Sequence, residues 1–281
     1  MSFIAIRGTF HVVGYSPDGD SVRFKAANNN HWSSLDGIKV RLNSKGHAQL
    51  RIEAIDTLET HYKNQHQPLE FADAATKKLF TYLGITDVAW NASHSKVTSA
   101  KDGTDGFIVT RTTEENGRPV SFVYGSQMDF QDGQDVFLDK KLVRKSVNYK
   151  MLGQGLAYPT FYDGLFYDLR ELFADQTLKV RQNKKGLWAS DNTNSFIQIN
   201  GLDDVVNTHV ILPKLFRRIV AYIKTAGSFD TKLFLEYLKK GNEKVLILSK
   251  LHFTHLDNII EADANGRIRL SEKPEDLVFL A

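Results

Sequence analysis

An α+β protein is what the sequence predicts: a small five-stranded β-barrel with packed helices, followed by a mixed helix/strand extension. Three observations carry this. Strand patterns fill the first third, helical patterns interleave with and follow them, and Gly/Asp-rich turns join the strands at short intervals. The 281 residues suit one large domain or two ordinary ones. A polar stretch at 190–195 without apolar periodicity reads as the linker, giving a barrel domain at 1–195 and an extension at 196–281.

The elements follow in order. Residues 9–15 read as a strand running into Ser16-Pro17-Asp18-Gly19, where proline presets φ for a turn, and 21–24 resume the alternation. Asn28-Asn29-Asn30-His31 reads as a loop before a strand at 38–42. A further strand at 48–55 ends in Asp56-Thr57-Leu58-Glu59. Pro68 opens a helix with Leu69, Ala72, Ala75, Leu79 and Leu83 on one face, and Gly84 stands where its cap belongs. Strands return at 88–91, 107–110 and 120–124, and helices at 140–152 and 165–182. Beyond 195 come helical patterns at 203–224, interrupted by Pro213, and at 230–240, closed by Gly241. Residues 245–248 look like a buried strand, and Ala264-Asn265-Gly266 turns a hairpin between 258–261 and 267–270.

Composition narrows the function classes. With 42% hydrophobic and 25% charged residues, the chain is neither mainly disordered nor collagen-like. No apolar run approaches the roughly 18 residues of a membrane-spanning helix, so no membrane partner is expected. The first residues lack a basic flank and long apolar stretch, which predicts a cytoplasmic protein unless the chain is a mature secreted form. The absence of cysteine excludes disulfides, thiolate zinc sites and cysteine nucleophiles. Lys+Arg 36 against Asp+Glu 33 leaves +3, too little to announce a nucleic-acid partner. Function must therefore be argued from a site.

Four segments gather the candidates: Asp20 after a tight turn, Arg51 on a strand, Asp56-Thr57-x-Glu59 at its end, and Arg118 after Asn116-Gly117. Two carboxylates and a backbone carbonyl are hard oxygen ligands suited to Ca²⁺. A third carboxylate can accept a proton from attacking water, and two arginines can grip phosphate oxygens. Each part also has a plainer role. Asp20 can be turn chemistry, Asp56 and Thr57 a loop or cap, Glu59 a solvated side chain, Arg51 a partner of Glu53, and Arg118 a hairpin residue. Their joint occurrence in this order favours the chemical reading.

With these residues in view, the chain resembles the staphylococcal nuclease (thermonuclease) family over about 8–195. Asp18-Gly19-Asp20-Ser21-Val22 resembles its D-G-D-[TS]-V motif, and Arg51-Ile52-Glu53-Ala54-Ile55-Asp56-Thr57-Leu58-Glu59 its R-L-x-x-[IV]-D-[TA]-P-E motif. Asn116-Gly117-Arg118 approximates Y-G-R, and residues 147–157, with Val147-Asn148 and Gln154-Gly155-Leu156-Ala157, match its V-N-x-x-L-[VL]-x-Q-G-L-A motif. Lys185-Gly186-Leu187-Trp188 is similar to the family's ending after its last helix. The resemblance implies an OB-type five-stranded barrel with three helices, and Ca²⁺-dependent cleavage of DNA or RNA by activated water. It makes Asp20 and Asp56 metal ligands with the Thr57 carbonyl, Glu59 the general base, and Arg51 and Arg118 the phosphate grips. Tyr158 and Tyr162 fall near the family's base-stacking tyrosines; packing at the barrel mouth is the equal alternative.

The departures are local. Leu58 replaces the usual proline and is expected to loosen the loop holding Asp56 and Glu59. Glu115-Asn116 stand where the founding nuclease has Lys-Tyr, and the stretches 84–118 and 125–140 are enlarged. His252 and His255 would share a face and could bind metal only if helical. The expected activity is thus a nuclease; a non-catalytic nucleic-acid or protein-binding module on the same barrel is the alternative.

Overall fold

The computed structural model describes residues 2–280. In chain order, strands β1 (Phe3–His11), β2 (Arg23–Ala26), β3 (Ala48–Gln49), β4 (Arg51–Ile52) and β5 (Ile55–Asp56) precede helix α1 (Leu69–Leu83). Strands β6 (Thr86–Trp90), β7 (Val97–Lys101), β8 (Thr104–Thr113), β9 (Pro119–Gly125) and β10 (Asp135–Val136) come next. Helices α2 (Lys140–Val143) and α3 (Val147–Gly153) are followed by short β11 (Tyr158–Pro159) and β12 (Phe161–Tyr162). Helices α4 (Tyr167–Gln182), α5 (Pro213–Ala226) and α6 (Thr231–Gly241) lead to β13 (Lys244–Ile247) and β14 (His252–His255). Strands β15 (Ile260–Ala262), β16 (Ile268–Leu270) and β17 (Leu277–Phe279) are the last.

The chain forms two compact units, one of residues up to Glu53 with Ala75–Met151, the other of Ala54–Ala74 with residues from Leu152 onward. They do not part at residue 195. The stretch 190–195, expected as a linker, is fastened inside the second unit. Tyr158 donates its hydroxyl to Asp191 Oδ1 at 2.7 Å, and buried Thr193 accepts the Leu212 N–H at 3.0 Å. The Asp191, Thr193 and Asn194 side chains find their partners in protein groups, which composition alone does not distinguish.

In the first unit one sheet runs β3-β2-β1-β8-β9-β4, with β10 on β1. Its two ends come from one segment, because only Leu50 separates β3 from β4. Gln49 and Ala48 pair antiparallel with Arg23 and Phe24, while Arg51 and Ile52 pair parallel with Val120 and Ser121. That exchange of partners nearly closes the sheet into a barrel, and it breaks the strand expected at 48–55 into three pieces. Phe10, Phe24, Leu50, Ile52, Ile108 and Phe122 are buried in this unit. Each such side chain contributes about 1.5–3 kcal/mol of apolar burial. The first strand lies earlier than expected. The Asp102 carboxylate takes the Val12 and Val13 N–H groups at 2.7 and 2.9 Å, which ends the ladder after His11. Residues 38–42 form no strand; Leu42 makes only an isolated bridge to Ala48. The helix expected at 140–152 is broken between α2 and α3, where Ser146 donates its hydroxyl to the Val143 carbonyl and accepts the Tyr149 N–H.

The second unit is built around α5, whose Phe216, Ile219 and Val220 pack with Phe234 and Leu238 of α6 and Val245 and Ile247 of β13. Strand order β12-β17-β13-β14 makes its main sheet, and β5 pairs with β11. The hairpin expected around Ala264-Asn265-Gly266 is present as β15 and β16. Gly155 and Gly186 meet backbone to backbone at φ +69° and +60°, and a Cβ on either would collide with the other segment's carbonyl groups. Leu187 donates to the Gly155 carbonyl there at 2.9 Å.

Candidate active site

Within the second unit, Asp56 lies on β5, held opposite Tyr158 of β11. Ala54, with φ 69°, turns the chain into this strand through the left-handed region, and its carbonyl accepts the Thr160 N–H at 3.1 Å. Asp56, Thr57 and Leu58 are all buried, so the loop toward Glu59 starts from a fixed base. Leu58 stands where the resemblance expects proline. Its side chain enters the same apolar core as Ala72, Phe216 and Trp188, anchoring by burial what a proline would anchor by restricting φ. Gln67, fully buried, completes the loop: its side-chain oxygen accepts the Glu59 N–H at 3.2 Å and its own N–H donates to the Glu59 carbonyl at 2.8 Å. Its amide group donates onward to the Ile211 carbonyl at 2.8 Å.

The carboxylates so held converge on Arg217 of α5. Nη1 donates to Asp56 Oδ1 at 3.0 Å and to Glu59 Oε1 at 2.6 Å, and Nη2 donates to Asp56 Oδ2 at 2.7 Å. Burial by itself would lower the guanidinium pKa; the charges and hydrogen bonds of Asp56 and Glu59 outweigh it and hold the group well above its ordinary value. The neighbouring cations on α5 are committed elsewhere: Lys214 and Arg218 both pair with Glu243. Those two cations overcome the burial that would raise the Glu243 pKa and bring it below the usual carboxylate range.

The arrangement bears on calcium. Ca²⁺ gathers about six to eight oxygens at roughly 2.3–2.6 Å. Here both Asp56 oxygens and one Glu59 oxygen already accept hydrogen bonds from a fixed cation of the chain itself. The donor chemistry suits a hard cation, but as held it does not fit calcium at Asp56. Among the described residues, no group of three or more His, Asp and Glu side chains lies where it could hold a metal ion. His252 and His255 lie on strand β14, not on a helix, so the shared helical face they required does not form.

The first unit carries Asp20, Arg51 and Arg118. The Asp20 carbonyl accepts the Ile52 N–H at 3.2 Å, so the acidic turn lies beside the strand that bears Arg51. Arg51 is paired with Val120, two residues beyond Arg118, so both arginines belong to adjoining strands or their ends. Asn148 fixes this joint. Fully buried, it donates to the Glu53 and Ser121 carbonyls at 2.9 and 3.0 Å and accepts the Val123 N–H at 2.9 Å. Arg118 is not open-handed. Its guanidinium and N–H both bind the Glu114 carboxylate, which also takes the Asn116 N–H and amide and so closes the turn around Gly117. Burial would raise the Glu114 pKa, but hydrogen bonds from Arg118 and Asn116 bring it down.

The tyrosines divide. Tyr158 is fully buried, packs edge-on against Trp188 at 4.9 Å between centroids, and binds Asp191 through its hydroxyl. A base cannot stack on a ring with no exposed face, so Tyr158 is a core residue and not a substrate contact. Tyr162 is partly exposed, with Lys214 5.2 Å from its ring centroid and 3.3 Å from its hydroxyl. Sequence reasoning missed Arg217 and Gln67. The signal available for Arg217 was Lys214, Arg217 and Arg218 at helical spacing inside an otherwise apolar helix; Gln67 has none.

No protein-family model matches the chain, and no curated protein matches it. Among the described residues, no helix is long and apolar enough to cross a membrane.

Proposed function

We propose that the chain is a nuclease of the staphylococcal nuclease type, hydrolysing phosphodiester bonds of DNA or RNA on an OB-type barrel. The observation that carries this is the retention, in order, of Asp20, Arg51, Asp56-Thr57-x-Glu59 and Arg118, the charged set of the motifs the chain resembles. In this reading water attacks phosphorus and its proton passes to the Glu59 carboxylate as the new P–O bond forms. The bond to the leaving oxygen breaks, and that oxygen takes a proton from solvent. Arg51 and Arg118 stabilise the added negative charge, Arg118 exchanging Glu114 for phosphate. No step is routed through calcium.

A second reading, a nucleic-acid-binding module without catalysis, is favoured by one observation: Glu59 and Asp56 are already ion-paired. Incubation with single-stranded DNA, duplex DNA and RNA, each with Ca²⁺, Mn²⁺ or chelator, separates the two. Shortened strands support the nuclease. Intact strands retained in a mobility-shift assay support the binding module, and intact unbound strands end both.

A further inference from the structure

We propose that Arg217 takes the place of the divalent cation at the Asp56–Glu59 pair, serving as the chain's resident counter-cation and positioning Glu59. The proposal rests on reading that pair as the cation site of a nuclease-type motif, and four features support it.

The guanidinium is bidentate on Asp56 and shares Nη1 with Glu59, so one rigid planar group satisfies three carboxylate oxygen contacts. Its place is set by packing, because Phe216, Ile219 and Val220 around it on α5 are fully buried. The helix is further tied to the same loop, where Lys224 donates to the Lys63 carbonyl. Finally, Lys214 and Arg218 are held by Glu243, so neither of these cations competes with Arg217 for the two acids.

A metal ion and this guanidinium differ in what they allow. A hard cation would need the Asp56 oxygens at coordination distance and open positions for water. Arg217 leaves Asp56 neither oxygen without a donor, supplies a fixed positive charge and holds Glu59 at Oε1. The chain thereby keeps a cation at the acidic pair at every metal concentration.

The test is Ca²⁺ titration of the full chain by calorimetry, for wild type, D56N, R217M and R217M/D56N. The expected result is no Asp56-dependent calcium site in wild type. R217M gains a saturable site, and R217M/D56N loses it again. A wild-type site that D56N abolishes and R217M leaves unchanged overturns the proposal. If R217M does not fold by near-ultraviolet circular dichroism, the wild-type and D56N isotherms decide alone: identical isotherms support Arg217 as resident cation, and a site lost in D56N refutes it. Cleavage, where present, should change less than twofold on adding chelator; a loss of more than tenfold also refutes it. Absence of cleavage under every condition removes the nuclease reading, while the isotherms still decide whether Arg217 or calcium neutralises the pair.

Discussion

Gln67 grips Glu59 by the backbone at both ends: the Glu59 N–H donates to its side-chain oxygen, and the Glu59 carbonyl accepts its N–H. The amide that does this is fully buried and spans on to Ile211. The loop that bears the proposed base is thus held at Glu59 by an interior residue, alongside the anchors that Leu58 and Arg217 supply. Gln67→Ala strands the Glu59 N–H and the Ile211 carbonyl, at a cost of about 2 kcal/mol in urea unfolding. It should also lower kcat on nucleic acid by on the order of tenfold or more, with a smaller change in KM. Unchanged stability would show that water replaces the amide without loss.

Removing Arg217 leaves two carboxylates in a largely buried setting without their partner. Arg217→Ala should destabilise the chain by about 3 kcal/mol, the usual consequence of breaking a buried pair from one side. In a cycle with Asp56→Asn, the two substitutions together should cost less than the sum of their single effects. Additive losses measured by chemical denaturation would mean the pair contributes nothing specific.

His47 gives a pH dependence with a definite sign. Burial, then the neighbouring His11 and three further cations, lowers its pKa from 6.5 to about 4. The ring stacks on His11 at 4.1 Å, and its Nδ1 shares a hydrogen bond of 3.1 Å with the Tyr15 hydroxyl. Between these pH values the unfolded chain binds a proton that the folded ring refuses. Stability therefore falls as pH drops from 6.5 toward 4 and levels off below. With solvent screening allowed for, the loss from this residue is on the order of 2 kcal/mol. His47→Gln, compared with wild type by urea denaturation at pH 7 and pH 4.5, should flatten that part of the curve.

Tyr158→Phe tests whether the buried tyrosine touches substrate. It deletes a hydrogen bond to Asp191 and should cost about 1–2 kcal/mol of stability. Oligonucleotide affinity by fluorescence anisotropy should stay within twofold. A large loss of affinity with normal stability would return Tyr158 to the substrate side.

Glu59→Gln and Arg118→Ala address the chemistry itself. Each should lower turnover by roughly 10²–10³ if the residue acts as proposed, since charge-stabilising groups commonly supply that much. Near-wild-type cleavage by either variant, measured on single-stranded DNA, would exclude the role assigned to it.

Much of the local structure was legible because its causes are local. Pro68 and Gly84 bracket α1 as their φ preferences require, and Asn265-Gly266 turns the β15–β16 hairpin. The breaks were less legible. Residues 48–55 carry one continuous strand pattern, yet the chain exchanges β2 for β9 at Leu50, an event decided by pairing distant in sequence. Residues 190–195 look like a linker because they are polar, and only the presence of Tyr158, Arg181 and Leu212 as partners fastens Asp191 and Thr193 to the second unit.

By itself the sequence determined where several helices and the β15–β16 hairpin fall, and which ionisable residues stand near the ends of elements; proline, glycine and apolar spacing act within a few residues. Only the tertiary structure decided the company those residues keep. Arg217 lies 161 residues beyond Asp56, and nothing nearer than the packing of α5 brings its charge to that carboxylate. Electrostatic pairing is set by distance in space and by burial, and neither is written in the local order of the chain.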